Sequence, residues 1–370
     1  MLTAENYFIS LSVAATLLLW GVSLWNGTVL ELILTVWRGH FEDGTPFLAS
    51  YTGFFPLDFP IGLLVAFFYY GTNGSHPGYQ VFLIDAYSTL QSAFVWLYIE
   101  SYRPSSKPST ISRPILWGLL WQAAGAAISL PLFYYHHLKW ISNVGVHKVG
   151  APHSTSADAL SLSFLLGAVA PAVIGMLPTW GPREPIRHQK ILAAWQLDPV
   201  WVSIFQVIFI AILSQARREN INARPLNRRR GVYFAYGLAA LSSTVGHLYA
   251  SSVIFRSSVL ELTWSRIYIP NLFHGPPDAT KLLAKGPWLF LQYDLIIIAL
   301  SSLSWVYVVA CRSSNRQSPV RLFLPFLLLI GQVILGTGAT VSLVLLWRET
   351  VMARIEIFTK SDSLRTRKTK

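Results

Sequence analysis

Four carboxylates lie inside or at the edge of long apolar and aromatic stretches of the sequence. Asp58 stands between two prolines in PLDFP, Asp85 begins an apolar stretch that Glu100 ends, and Asp294 follows Gln-Tyr inside another. A charged side chain at the centre of a bilayer costs about 2.5–3.5 kcal/mol on insertion scales, so such residues usually face a bundle interior and carry function. These four residues are therefore the candidate catalytic acids.

A buried carboxylic acid can donate a proton near neutral pH. Low dielectric disfavours the charged carboxylate and raises its pKa, which keeps the acid protonated until a substrate takes the proton. Aromatic faces beside it can stabilise a developing carbocation by about 2 kcal/mol when water is excluded. Candidate side chains for the lining of such a cavity are Tyr87, Trp96, Tyr98, His247, Tyr293 and Trp305. His247 could instead relay a proton, or be a hydrogen-bonded core histidine.

Each acid also has a purely structural interpretation. Glu100 can anchor a span end through Arg103, which follows one turn later, and Asp85 can cap the start of its helix. Asp58 and Asp294 can be hydrogen-bonded packing residues. Asp85 and Glu100 are 15 residues apart, roughly 22 Å along a helix, so we do not expect them to share one small site.

Motifs for several other chemistries are missing from the sequence. It has no G-x-x-x-x-G-K-[ST] or G-x-G-x-x-G phosphate cradle, no H-E-x-x-H, no Cys/His zinc spacing and no G-x-S-x-G. The D-D-x-x-D and D-x-D-D patterns are absent too, so no machinery for ionising a prenyl diphosphate is visible. The single cysteine, Cys311, excludes an internal disulfide and a cysteine-based zinc site. We expect neither a metal nor another cofactor.

The composition indicates a polytopic membrane protein. Of 370 residues, 53% are hydrophobic and 12% are charged, with a mean hydropathy of +0.45, whereas soluble domains carry about 25% charged residues. The net charge of +12 is typical of the basic loops and tail of a membrane protein and does not indicate nucleic-acid binding. We expect a multi-pass protein of the endoplasmic reticulum.

The apolar stretches predict an all-α transmembrane bundle of about eight or nine spans, because a span needs about 20 mostly apolar residues. The candidate spans are 7–25, 51–70, 79–100, 114–135, 158–180, 200–215, 232–255, 287–311 and 321–347. Residues 29–44 predict an interfacial helix that ends at Gly39. Residues 1–350 would form one helical domain, and residues 351–370 a basic, disordered tail on the cytosolic side.

One sequence pattern occurs twice. D-x6-S-x3-W-x-Y begins at Asp85 and again at Asp294, each time after Phe-Leu. It could mark an old duplication that placed similar acid-bearing helices in two halves of the bundle. Chance is the alternative, because the chain is rich in Trp, Tyr and Ser.

The chain resembles the fungal integral-membrane terpene cyclases of meroterpenoid pathways, such as those that build ascochlorin, ascofuranone and macrophorin. The stretch that carries the resemblance runs from Asp58 to Arg103 and includes FYYGTNG, GYQVFLIDAY and WLYIESYR. The resemblance implies protonation of a terminal epoxide or olefin on a prenylated aromatic or polyketide substrate, followed by ring closure without a metal. A class of smaller membrane cyclases uses two intramembrane acids, and that pair does not carry over position by position.

We therefore predict a metal-independent, proton-initiated cyclase of isomerase or lyase type. Its substrate would be a hydrophobic farnesyl-type chain, epoxidised, on an aromatic head group, and pathway enzymes could share its membrane. A proton-coupled transporter is the first alternative, although the spans lack paired Gly- or Pro-broken segments apart from the region of Asp58. A non-catalytic membrane scaffold is the second.

Overall fold

The structure, a computed structural model, describes residues 4–219, 229–271, 281–313 and 320–368. The described part is helical throughout its regular structure and contains no β-strand, only an isolated bridge between His40 and Pro46. The predicted all-α class is confirmed. The main helices are α1 (Ala4–Thr16), α2 (Thr28–Arg38), α3 (Phe55–Thr72), α4 (Pro77–Ser101), α5 (Pro114–Ala124), α6 (Ala126–Val144), α7 (Ser154–Phe164), α8 (Pro185–Trp195), α9 (Asp198–Glu219), α10 (Arg230–Arg256), α11 (Trp264–Tyr268), α12 (Leu282–Ser313), α13 (Val320–Leu335) and α14 (Thr337–Lys368).

Shorter helical segments extend or connect these helices. Leu17–Gly21 and Val22–Trp25 continue α1, and Leu165–Val169 and Ala170–Met176 continue α7. The remaining short segments are Ser109–Ser112, Val146–Lys148, Leu177–Thr179 and Leu260–Leu262.

Within the described residues, six helices are long and apolar enough to cross a membrane. They are Glu5–Trp25, Phe55–Thr72, Ser154–Thr179, Asp198–Ala216, Arg230–Arg256 and Leu282–Ser313. The predicted count of eight or nine is not confirmed. The predicted span 79–100 corresponds to helix α4. This helix is not among the six, because its polar residues lower its mean hydropathy. The predicted spans 114–135 and 321–347 are each interrupted by a glycine.

These two interruptions occur at Gly125 and Gly336. Gly125 has φ +105° and separates α5 from α6, and Gly336 has φ +85° and separates α13 from α14. Positive φ is readily adopted only by glycine, which has no Cβ to clash with the backbone. The sequence led us to expect no paired Gly- or Pro-broken segments in matching halves of the chain. The structure shows these two breaks, which hydropathy did not reveal because the apolar composition continues through both.

Helix α4 lies in the middle of the bundle and is buried along almost its whole length. Small residues let its neighbours approach closely. A Cβ on Gly246 of α10 would overlap the side chain of Ser88, and one on Gly338 of α14 would lie 2.9 Å from Ser92 Oγ. This packing places both faces of α4, including its two acids, inside the protein.

Helix α2 is the helix predicted to lie at the interface. It ends at Gly39, which has φ +73°, as the sequence predicted. One face carries the exposed side chains of Leu30 and Trp37, the latter 76% exposed. The opposite face turns toward α3 and α12, so α2 covers part of the bundle interior.

The last helix is longer than predicted. Helix α14 runs to Lys368, through most of the segment 351–370 that the sequence predicts to be a disordered tail. The side chain of Glu356 lies 3.3 Å from Arg229 in an ion pair, which links this part of α14 to the start of α10.

Candidate active site

An apolar cavity of about 410 Å³ lies between α2, α3, α4, the break between α5 and α6, and α12. Ligand pockets typically enclose about 300–1,000 Å³. Asp294 is the single acidic side chain among the described residues that line it. The structure thus brings one of the four predicted acids to a ligand-sized cavity.

The helices present their lining side chains with helical spacing, because residues three or four apart share one face. The lining sets are Thr28, Val29, Leu32 and Ile33 on α2; Leu63, Leu64, Phe67 and Phe68 on α3; Tyr87 and Leu90 on α4; and Phe290, Leu291 and Asp294 on α12.

Aromatic rings form much of the cavity wall and contact one another edge to face. The ring of Phe290 lies 5.3 Å from that of Phe67 and 5.9 Å from that of Trp20, centroid to centroid. Phe68 and Tyr87 are 5.6 Å apart in the same geometry. Such rings offer their negative faces to a cation. Sequence reasoning missed Trp20, Phe67, Phe68 and Phe290, because aromatic residues are frequent in every span.

Asp294 is 5% exposed and its Oδ1 accepts a hydrogen bond of 2.7 Å from the Ala127 amide. This amide belongs to the first turn of α6, whose N–H groups have no partner within their own helix. A protonated carboxyl group can accept such a bond through one oxygen and donate its own O–H elsewhere. Asp294 is therefore arranged so that it can present a proton to a molecule in the cavity.

A second acid near this cavity, Asp198, was missed by sequence reasoning. It begins α9, is 3% exposed and accepts a hydrogen bond of 3.0 Å from Gln122 Nε2. Gln122 lines the cavity and also donates to the Gln196 carbonyl at 2.9 Å. The sequence feature that could have identified Asp198 is Leu-Asp-Pro before an apolar run, a pattern typical of a helix start.

Asp85 does not line the cavity and instead forms a separate buried cluster. His247 Nδ1 lies 3.1 Å from both carboxyl oxygens, and the Tyr268 hydroxyl donates to Oδ2 at 2.6 Å. His247 Nε2 lies 3.1 Å from the Val333 carbonyl. Asp85 is thus enclosed by His247 and Tyr268 in a hydrogen-bonded cluster outside the cavity, and it is poorly placed to protonate a substrate there.

Glu100 also lies away from the cavity, at the other end of α4, as its spacing from Asp85 predicted. It accepts hydrogen bonds from Arg103 Nε at 2.7 Å and from Arg348 Nη1 at 2.8 Å, and it lies 2.9 Å from His137 Nε2. All these side chains are fully buried, and Arg103 also bonds Glu349. Glu100 is therefore a buried, multiply paired carboxylate rather than a free acid.

Asp58 braces a loop. Its oxygens accept hydrogen bonds from the Tyr51, Thr52 and Gly53 amides and from the hydroxyls of Ser50 and Thr52, over 2.7–3.1 Å. An environment made only of donors suits an ionised carboxylate, which can only accept. The structure places this acid outside the cavity, because the loop at the start of α3 folds back onto its carboxyl group.

Of the predicted lining residues, Tyr87 borders the cavity in the described part of the chain. Those that lie elsewhere are Trp96, Tyr98, His247, Tyr293 and Trp305. Trp96 donates to Ser342 Oγ at 2.8 Å and Trp305 donates to His137 Nδ1 at 3.0 Å. The two indoles come from the repeated sequence pattern and lie 6.3 Å apart, so α4 and α12 meet at this point. Trp96 and Trp305 are therefore packing residues of the buried core and do not line the cavity.

In the part of the chain that the structure describes, no three or more His, Cys, Asp or Glu side chains are grouped so that they could hold a metal ion. The prediction that the protein needs no metal remains a prediction, which chelation can test.

Comparison with known proteins identifies the family. The CtvD domain family matches residues 4–353. Terpene cyclase DEP1 of Alternaria brassicicola is 27% identical, covering 94% of this chain and 98% of that protein. Terpene cyclase alnG of Emericella nidulans is 25% identical, covering 88% of each chain, and terpene cyclase ctvD of Aspergillus terreus is 24% identical, covering 82% and 86%. No solved structure gives a significant match.

The match spans the whole site. Asp198, Asp294 and both glycine breaks lie within residues 4–353. The resemblance to fungal terpene cyclases of meroterpenoid pathways, predicted from the sequence, is confirmed. The chain belongs to the CtvD domain family.

Proposed function

We propose that this protein is a membrane-bound terpene cyclase in which Asp294 is the proton donor. Its relatives carry terpene cyclase names, and the six long apolar helices in its described part suit a membrane. The observation that carries the assignment of Asp294 is its position, since it is the single acid in the described wall of an aromatic cavity. The substrate is an epoxidised farnesyl-type chain on an aromatic or polyketide head group.

The reaction begins when Asp294 gives its proton to the epoxide oxygen. The C–O bond breaks while the π electrons of the neighbouring alkene form a C–C bond, and the epoxide oxygen remains as a hydroxyl group. The positive charge moves onto a ring carbon, near the faces of Phe67 and Phe290. The cation then loses a proton from an adjacent carbon, or is captured by a head-group hydroxyl that loses its proton. Asp294 regains one proton, so substrate and product are isomers.

The apolar lining of the cavity also protects the carbocation from water. A carbocation in contact with water is captured as an alcohol before further rings can close. Walls of Leu32, Leu64 and Leu90 exclude water and leave alkene carbons as the available nucleophiles. The cavity also suits a hydrophobic substrate that arrives from the bilayer. The enzymes that make this substrate would share the membrane, for which we propose the endoplasmic reticulum.

The experiment uses a yeast host that makes the protein and is fed the linear prenylated epoxide. Cyclised product is measured relative to the protein in the membrane fraction. Asp294→Asn keeps the size of the side chain and removes its acidic proton, so turnover should fall about a hundredfold to ten-thousandfold. Asp294→Glu keeps an acidic proton, one methylene group farther from the backbone, and should retain measurable turnover.

Asp85→Asn is the matched comparison, because this acid is equally buried but faces His247 and Tyr268. It should change the protein level more than the turnover per protein. If Asp294→Asn retains more than about a tenth of the turnover at equal protein level, a general acid at this position is contradicted.

One observation favours a second candidate function, proton-coupled transport. Both glycine breaks lie beside ionisable side chains: Gly125 is next to Asp294, and Gly336 is next to His247, the partner of Asp85. Transporters often build their sites at broken helices. Purified protein in vesicles distinguishes the two, since a transporter gives substrate-dependent proton flux and a cyclase gives ring-closed product.

A further inference from the structure

A second cavity, of about 420 Å³, lies on the opposite side of α12 from the first. It is bounded by Asn26, by the segment 260–271 and by the first turns of α12. The two cavities share no described lining residue. They are separated where Gly286 packs on Thr28, so closely that a Cβ on Gly286 would overlap Thr28 Oγ1.

The described lining of this second cavity is basic. It contains Arg266 and Lys285 and no Asp or Glu. Lys285 lies in the first turn of α12, where the helix dipole is already positive and a cation is unfavourable. Its ammonium makes no ion pair within the described residues. An anion in the cavity would stabilise both the ammonium and the helix end.

Arg266 is held in position at the cavity wall. Its guanidinium lies 5.3 Å from the ring of Trp288, which stacks on Tyr79 with centroids 5.6 Å apart. Gln292 Nε2 donates to the carbonyls of Arg266 and Ile267 at 3.0 and 2.7 Å, which ties this loop to α12. The guanidinium therefore adds a positive charge at a fixed place in the cavity wall.

The rim of the same cavity is apolar. Leu260 is 79% exposed and Ile269 is 60% exposed, and both line the cavity. Apolar side chains exposed beside a basic cavity match an amphiphile, with its anionic group inside and its hydrocarbon chains along the rim.

We propose that this second cavity binds the phosphate head group of an anionic phospholipid. The Lys285 ammonium binds the phosphate oxygens, the positive charge of Arg266 favours the anion, and the acyl chains lie over Leu260 and Ile269. The site is independent of the proposed cyclisation. It lies on the side of α12 opposite to the cavity of Asp294, and the two cavities share no described lining residue.

The test measures the thermal unfolding midpoint of the full chain, purified in detergent, with three added probes. These are dioctanoyl phosphatidic acid, dioctanoyl phosphatidylcholine and inorganic phosphate. Phosphatidic acid should raise the midpoint by about 2 °C or more, as expected for a ligand well above its dissociation constant. The zwitterionic lipid and free phosphate should give much smaller shifts.

Lys285→Gln and the double variant with Arg266→Gln should remove most of that shift. Lys190→Gln, an exposed lysine on α8, is the matched control and should keep it. Lys285→Gln alone suffices if the double variant does not fold. An equal shift with phosphatidylcholine would overturn the proposal, because binding would not depend on the charge. An equal shift with inorganic phosphate would assign the cavity to free phosphate. An undiminished shift in Lys285→Gln would overturn the proposal, because the lipid would then bind without the Lys285 ammonium.

Discussion

The backbone amide of Ala127 and the carboxyl group of Asp294 are joined by a hydrogen bond of 2.7 Å across two helices. The bond exists because α5 stops at Gly125 and leaves the first amides of α6 without partners. The start of α6 at a helix break and an acid 167 positions after Ala127 thus form one local site. Changes at the break should therefore affect the acid.

Gly125→Ala should disturb both stability and turnover. The new Cβ would lie 2.7 Å from Leu19 Cδ2 and 3.3 Å from Asp294 Oδ1, at φ +105°. Strain of this kind costs on the order of 1–3 kcal/mol, and the shifted backbone would move the Ala127 amide. We expect a lower thermal midpoint and at least about a tenfold loss of turnover per protein.

Gly237→Ala is the control for this change. Gly237 lies inside α10, and no heavy atom lies within 4 Å of the place that an alanine methyl group would take. Alanine there favours the helix by up to about 1 kcal/mol. If Gly125→Ala behaves like Gly237→Ala, the break at Gly125 does not constrain the site.

Phe290→Leu should lower turnover while leaving the protein level nearly unchanged. The leucine keeps an apolar side chain but removes the ring that contacts Trp20 and Phe67. Loss of a desolvated cation–π contact of about 2 kcal/mol corresponds to roughly a thirtyfold slower reaction. Product formation in membranes, normalised to protein, measures it.

Phe234→Leu provides the comparison, because Phe234 is 64% exposed on α10 and does not line the cavity. Equal turnover in the two variants would show that the ring of Phe290 does not stabilise the cation.

Glu100→Gln should reduce the amount of folded protein rather than the chemical step. The amide would remove the carboxylate that Arg103 and Arg348 share in a fully buried network, and Arg103 would keep the carboxylate of Glu349. Removing one partner of such a network costs about 3–5 kcal/mol. Membrane yield and the thermal midpoint should both fall, with turnover of the surviving protein close to that of the parent.

Glu31→Gln is the matched Glu-to-Gln change at an exposed pair, where Arg38 lies 3.3 Å away. An exposed pair contributes about 0–1 kcal/mol, so its yield should stay normal. Normal yield of Glu100→Gln combined with lost turnover would instead make Glu100 part of the reaction.

Chelation should leave turnover unchanged. The reaction proposed for Asp294 needs a proton and an apolar cavity, and the sequence lacks magnesium- and zinc-binding motifs. Microsomes treated with EDTA should therefore form product at the untreated rate. Activity that disappears with EDTA and returns with magnesium would contradict a metal-independent mechanism.

The burial of the four acids could be predicted from the sequence, but their pairing could not. Hydropathy identified Asp58, Asp85, Glu100 and Asp294 as acids in apolar surroundings, and all four are buried. Spacing along one helix also predicted that Asp85 and Glu100 lie apart. Hydropathy could not distinguish a paired carboxylate from a free one, because the partners of Asp85 and Glu100, His247 and Arg348, are distant in sequence.

The amino-acid sequence by itself determined the helical class, the buried acids and the family resemblance, because these depend on composition and on patterns within single segments. The tertiary structure decided which acid faces a cavity, since that depends on how α12 is rotated against α3, α4 and the break at Gly125. It also brought Asp198 close to the cavity through Gln122. Packing of helices distant in sequence sets these contacts, and each depends on close approaches that no local pattern encodes.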